Sequence, residues 1–127
     1  MSLELRDIEN AGDIERERVV MRATKDVDIG LYAVFRCRVG EKGGPYSGPI
    51  LDGYWFPMKE IKSGDYVVLY TKTGTTSEKK EEKSTSYFYY WHLAKPIWIP
   101  DMIPVLVDTP LWSVGKPIAK RSEFKTG

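Results

Sequence analysis

A chain with a single histidine and a single cysteine has few ways to make or break bonds. A Ser-His-Asp triad would have to use His92, and a thiol nucleophile with an imidazole base would have to join Cys37 to His92. Neither has a supporting local pattern. Cys37 falls on the apolar register of its segment and reads as a small buried hydrophobe. His92 follows Trp91 at the end of an aromatic run, where a hydrogen-bonded structural role is the commoner one. Paired carboxylates could serve glycoside hydrolysis, and Asp52, Asp65, Asp101 and Asp108 are the best placed for it. Aspartate beside glycine or proline, as in Asp52-Gly53, Gly64-Asp65 and Pro100-Asp101, more often holds a turn through its own side chain. The chain has no Cys/His spacing for zinc and no Asp-x-Asp-x-Asp loop for calcium. Gly43-Gly44 and Lys72-Thr73-Gly74 lie in loops without a following helix, so no phosphate loop is read. The expectation is a protein that is not an enzyme and needs no metal or cofactor; a small hydrolase using His92 and turn carboxylates is the alternative from another class.

What stands out is aromatic density: Tyr54-Trp55-Phe56, then Tyr87 to Trp91, then Trp98 and Trp112. Strand neighbours point to opposite faces, so Tyr87, Tyr89 and Trp91 fall on one side and Phe88, Tyr90 and His92 on the other. Both sides cannot be core. Exposed tyrosine and tryptophan offer flat apolar faces with a hydrogen-bonding edge, which suits protein interfaces, sugar rings or unstacked bases. The duller reading is a strand with one face in the core and a tyrosine ladder on the outside. Cations interleave sparsely, with Arg36 and Arg38 on one segment and Lys59, Lys62 and Lys95 near others, so nucleic acid is the second choice of partner.

The elements that must carry these residues are strands. Apolar residues recur with period two, and Gly, Pro, Asp or Ser interrupts them every eight to fifteen residues. Glu17–Ala23 places Val19, Met21 and Ala23 on one face; Ile29–Val39 alternates Leu31, Ala33, Phe35, Cys37 and Val39, read as the buried face, against Tyr32, Val34, Arg36 and Arg38. Residues 40–49 hold four glycines and two prolines and form a loop. Ile50–Pro57, Tyr66–Thr71, Tyr87–Leu93 and Met102–Asp108 read as further strands, the last starting after Pro104. Lys72–Ser86 has no large apolar residue and reads as a solvated loop. Leu3–Arg18 is the best helix candidate and a poor one. Little helix and about seven to nine strands point to an all-β sandwich or barrel.

A chain of 127 residues with 42% hydrophobic residues fits one domain. The division expected is an acidic N-terminal segment (1–16), a sandwich (17–112) and a basic tail (113–127) carrying Lys116, Lys120, Arg121 and Lys125. Nineteen basic and eighteen acidic residues leave a formal charge of +1, so no overall field draws the chain to nucleic acid or an anionic membrane. The lone cysteine, the charged start and the lack of a long apolar run suggest a cytoplasmic protein with no membrane span.

Three stretches resemble the lamin-tail-domain family, which has an immunoglobulin-like β-sandwich fold. They are Ile29-Gly-Leu-Tyr-Ala-Val-Phe35; Trp55-Phe56-Pro57 with Ile61-Lys-Ser-Gly-Asp-Tyr-Val-Val-Leu-Tyr70; and Tyr87-Phe88 through Ile97-Trp98 to Val105-Leu-Val-Asp108. The chain departs from the family at Ile99-Pro100-Asp101-Met102-Ile103-Pro104, where Asn or Gly-Asp is usual. The resemblance implies an immunoglobulin-like sandwich acting as a non-catalytic binding or assembly module. The expected partner is a protein or a second copy. The expected contact surface is Tyr54, Tyr87, Tyr89, Tyr90 and Trp98, with Arg36 and Arg38 as polar anchors.

Overall fold

The computed structural model describes residues 1–46 and 48–118. Lys120, Arg121 and Lys125 of the basic tail lie outside the described residues. Ten strands and one short 3-10 turn make up the regular structure of those residues: β1 (Leu3–Glu9), β2 (Arg18–Ala23), β3 (Val27–Asp28), the 3-10 turn (Ile29–Leu31), β4 (Tyr32–Arg38), β5 (Asp52–Trp55), β6 (Glu60–Ile61), β7 (Tyr66–Tyr70), β8 (Ser77–Lys80), β9 (Thr85–Tyr90) and β10 (Met102–Asp108). They form a five-stranded sheet in the order β1-β2-β7-β9-β8, a three-stranded sheet β10-β4-β5, and a small β3-β6 ribbon. The fold is an all-β sandwich.

Alternation builds the core. Val19, Met21 and Ala23 of β2 and Val67 and Leu69 of β7 face inward from the larger sheet. They meet Tyr32 and Val34 of β4, Phe56 just beyond β5, and Tyr54 and Leu106 from the smaller sheet. β9 runs parallel to β7 and antiparallel to β8, so the chain crosses over to place β9 between them.

Four expectations are corrected. Leu3–Glu9, the start of the best helix candidate and part of the acidic leading segment, is an edge strand, and Leu3 is fully buried. A register shift between Leu5 and Asp7 puts Leu3, Leu5 and Ile8 against the core; this β-bulge breaks the period of two. The loop expected over Lys72–Ser86 contains β8, whose four residues are all exposed and are held through backbone pairing with β9. In β4 the face read as half wet sends Tyr32 and Val34 into the core cluster, while on the face read as buried Ala33 and Cys37 are buried as expected and Phe35 is half-buried, but on the register opposite that cluster. β10 also begins before Pro104, at Met102. Proline is tolerated there because β10 is an edge strand with one side free of a ladder.

One charge is buried at the end of the sandwich. Glu17 is fully inaccessible, and its carboxylate accepts from Thr71 Oγ1 at 2.6 Å, the Ile97 amide at 2.8 Å, the Gly12 amide at 2.9 Å and the Trp98 amide at 3.4 Å. These donors come from the β1–β2 turn, the end of β7 and the irregular segment before β10, so a single side chain ties three pieces of chain together. A buried carboxylate needs such a donor set to offset its lost hydration. In that irregular segment Asp101 takes a left-handed conformation (φ 71°), the Met102 amide donates to Ile99 O, and the Val39 amide donates to Asp101 O. The turn over Ile99–Met102 is thus built around Asp101.

Candidate interaction surface

The seven residues expected to form one contact surface separate in space. Tyr89 and Trp98 are buried at 3% and 4% exposure. β9 turns Tyr87, Tyr89 and Trp91 toward the core, where Phe56 packs edge-on to Tyr89 at 5.4 Å and to Tyr54 at 5.2 Å, and Trp91 links Tyr54 to Trp98. Tyr54, Tyr87, Tyr89 and Trp98 are therefore packing residues of the sandwich, contributed by β5, β9 and the segment before β10. Burial pushes the Tyr89 phenol up to about 12 and raises Tyr54. Tyr87 is raised by desolvation and by the Asp65 and Glu78 charges, against a hydrogen bond from Thr85.

Tyr90 does face outward. Its ring stacks on Tyr70 at 5.4 Å, and Gly74 lies so close that a Cβ there would come within 2.3 Å of the ring. Around this pair the outer face of the larger sheet carries Phe88 beside Tyr70, with Arg18 and Lys72 over the Tyr70 ring and Arg22 over Tyr66. Arg18 is paired with Glu9 and Lys72 with Glu15. This is the cross-strand tyrosine ladder of the duller reading, with two of its cations already neutralised. The two expected arginine anchors also part: Arg36 Nε donates to Asp52 Oδ2 at 2.7 Å, whereas Arg38 is exposed.

The residues with chemical potential are equally dispersed. Asp65 holds its turn, accepting from the Lys62 and Thr85 amides, and Asp52 serves Arg36. His92 is exposed in a left-handed conformation, its amide donating to Lys72 O. Cys37 is buried on the outward register of β4.

A different surface emerges on the outer face of the smaller sheet. Register aligns Ala33, Phe35 and Cys37 of β4 with Val107, Val105 and Ile103 of β10, and Ala33 and Phe35 with Trp55 and Gly53 of β5. No charged residue falls in this register. Trp55, 50% exposed, donates from Nε1 to Gly30 O at 2.7 Å and packs edge-on against Trp112, itself 60% exposed, at 4.9 Å. Ala33, Phe35, Trp55, Thr109 and Trp112 line an apolar notch of about 200 Å³. Thr109 fixes the exit of the chain through two hydrogen bonds to Leu31 O, and that exit carries Trp112 back over Trp55.

No protein-family model and no curated protein matches this chain. The case for a site therefore rests on its geometry. Sequence reasoning misses this face because simple alternation assigns Ala33, Phe35 and Cys37 to the core. The available signal is that both registers of β4 are apolar, which a strand with one solvated face does not need. Among the described residues no helix is long and apolar enough to cross a membrane.

Proposed function

We propose that this domain is a non-catalytic binding or assembly module of lamin-tail type that docks a protein through the outer face of its three-stranded sheet. One observation carries the reading: that face is uncharged across all three strands and ends in the exposed Trp55–Trp112 pair. The outer face of the larger sheet, in contrast, bears Glu4, Asp7, Glu9, Arg18 and Arg22. A solvated sheet face ordinarily alternates polar residues outward, and aromatic residues with few charges mark the centre of protein interfaces.

Three strands about 4.8 Å apart and about six residues long at about 3.3 Å each span about 300 Å², and because Ala33 and Cys37 are buried and Phe35 is half-buried the area open to a partner is smaller. A stable interface covers about 800 Å² per partner. The partner must therefore also reach the exposed Leu111 and Val114 beside Trp112, and affinity is expected in the micromolar range, about −8 kcal/mol.

Partner capture from native lysate by the full chain should be lost with Trp55→Ser combined with Trp112→Ser. It should persist with Tyr90→Ser on the opposite sheet and change little with salt. Retention by the tryptophan double variant, or steep loss with salt as in nucleic-acid binding, would overturn the reading.

A further inference from the structure

The two larger sheets end in free edges on β1, β8, β5 and β10. β8 is fully exposed and carries Glu78, Lys79 and Lys80; β1 carries Glu4, Arg6, Asp7 and Glu9 and is broken by its bulge; β5 is only four residues long. Charge, bulging and shortness are the devices by which sheet edges avoid pairing with another chain. Of such devices β10 has only Pro104. Its seven residues pair with β4 without a register shift, and no charge occurs before Asp108. Met102 to Val107 are apolar on both registers and all half-buried. Among the described residues no strand pairs with the far side of β10.

Hydrogen bonding shows which groups face that side. The Val39 amide donates to Asp101 O and the Thr109 amide to Leu31 O, so the odd-numbered residues between them serve the β4 ladder. Alternation in an antiparallel pair then turns the backbone groups of Pro104, Leu106 and Asp108 outward. Such a row of donors and acceptors calls for an extended strand. A second copy of β10, antiparallel about a two-fold axis, supplies one. With the axis at Leu106, a doubly bonded Leu106 pair lies in the middle and the Asp108 N–H of each copy donates to Pro104 O of the other. The prolines then fall near the ends of the paired stretch, and no like charges meet, because Asp108 faces Pro104. Directly opposed residues send their side chains to the same face. Pro104 and Leu106 of the second copy therefore come to the core side, over a cleft of about 550 Å³ between β10 and β1 that is lined in part by Leu3, Leu5, Pro104 and Leu106. One occupant thus satisfies both the free edge and the apolar cleft beside it.

We propose that this chain self-associates through β10, two three-stranded sheets joining into one of six strands about a two-fold axis. The contact is made by the strand edge and does not depend on docking at the Trp55–Trp112 pair. Sedimentation equilibrium of the full chain between about 10 µM and 1 mM should show the mass rising from 14.6 kDa toward twice that value, because a strand-edge contact is smaller than a standard interface and correspondingly weak. In the same range the Leu106 and Asp108 amides should exchange more slowly as concentration rises, while Val105 and Val107, bonded to β4, should not change. Asp108→Pro removes an outward N–H at an exposed position and leaves the β4 ladder intact. It deletes two hydrogen bonds across the axis, so the dissociation constant should rise about 5-fold or more. Asp108→Ala keeps the N–H and should dimerise like the parent. Trp55→Ser with Trp112→Ser should leave the dimer intact, so the two proposals fail separately. A monomer at every concentration, exchange at Leu106 and Asp108 that ignores concentration, dimerisation of Asp108→Pro equal to the parent's, Asp108→Ala as weak as Asp108→Pro, or loss of the dimer in the tryptophan double variant would overturn the assignment.

Discussion

Thr71→Val removes one hydroxyl from the buried Glu17 cluster with almost no change in shape, and its effect can be worked from the geometry. Thr71 is fully buried, and its Oγ1 donates to Glu17 Oε2 at 2.6 Å. A hydrogen bond to a charged group contributes about 1.5–3 kcal/mol, and its loss here leaves no new unpaired donor, because valine has none. The carboxylate keeps the Ile97 and Gly12 amides, so the cluster is weakened and not emptied. For a chain of this size the loss corresponds to about 3–5 °C of Tm per kcal/mol. In a Glu17→Gln background the same hydroxyl meets a neutral amide oxygen, and Thr71→Val should then remove only about 0.5–1.5 kcal/mol. The coupling expected in the double-mutant cycle is therefore about 1 kcal/mol. Urea unfolding followed by tryptophan fluorescence, with m-values held equal across the four proteins, measures it. A Thr71→Val protein within about 0.5 kcal/mol of the parent, or a Thr71→Val loss as large in the Glu17→Gln background as in the parent, would refute the claim that the buried charge organises this end of the sandwich.

Alkaline pH should destabilise the fold through its buried phenols. An unfolded tyrosine titrates near 10, while Tyr89 is pushed up to about 12 and Tyr54 and Tyr87 are raised. Between those values the folded state binds more protons than the unfolded, so stability is full below about pH 10 and falls as pH rises toward about 12. Urea midpoints across that interval, with phenolate absorbance, check it, and Tyr89 ionising together with exposed tyrosines would refute it. Leu3→Ala should lower stability by about 2–5 kcal/mol, since Leu3 is fully buried; a change under about 0.5 kcal/mol in urea unfolding would show that β1 is not integral. Replacing Lys79 and Lys80 on the exposed edge strand β8 by valine should leave the urea midpoint nearly unchanged and speed aggregation seen by light scattering, because charged residues blunt free edges.

What was legible in the sequence follows from where information is local. Tyr66–Tyr70 reads as a strand because the turn Lys62–Asp65 precedes it and its core residues Val67 and Leu69 alternate without interruption. β2 is legible for the same reason, and Val19, Met21 and Ala23 are its buried face. β1 is hidden by its bulge, which spaces the inward residues two and then three apart. β8 is hidden because it holds no apolar residue and exists by pairing alone. The candidate surface lay beyond local pattern for a different reason: Tyr32-Ala-Val-Phe35 is apolar on both registers, and only the position of the opposing sheet decides which register is core. Tyr32 settles it, its hydroxyl receiving the Ser2 amide at 3.1 Å across the two layers.

The abundance of aromatic residues thus divides into three populations with different capacity for a partner. Tyr54, Phe56, Tyr89, Trp91 and Trp98 satisfy one another across the core. Tyr70 and Tyr90 are exposed in part, but each ring is already covered: Tyr70 by Arg18, Lys72 and Tyr90, and Tyr90 by Tyr70 and Gly74. Trp55 and Trp112 meet each other edge-on and remain at least half exposed beside an uncharged sheet. Burial of apolar area contributes about 25 cal/mol per Å², so further stabilisation on contact is greatest where area is still exposed and no charge has to be desolvated. Of the three populations only the Trp55–Trp112 pair meets both conditions, which is why the proposed binding surface lies on the smaller sheet and not on the aromatic strand where density is highest.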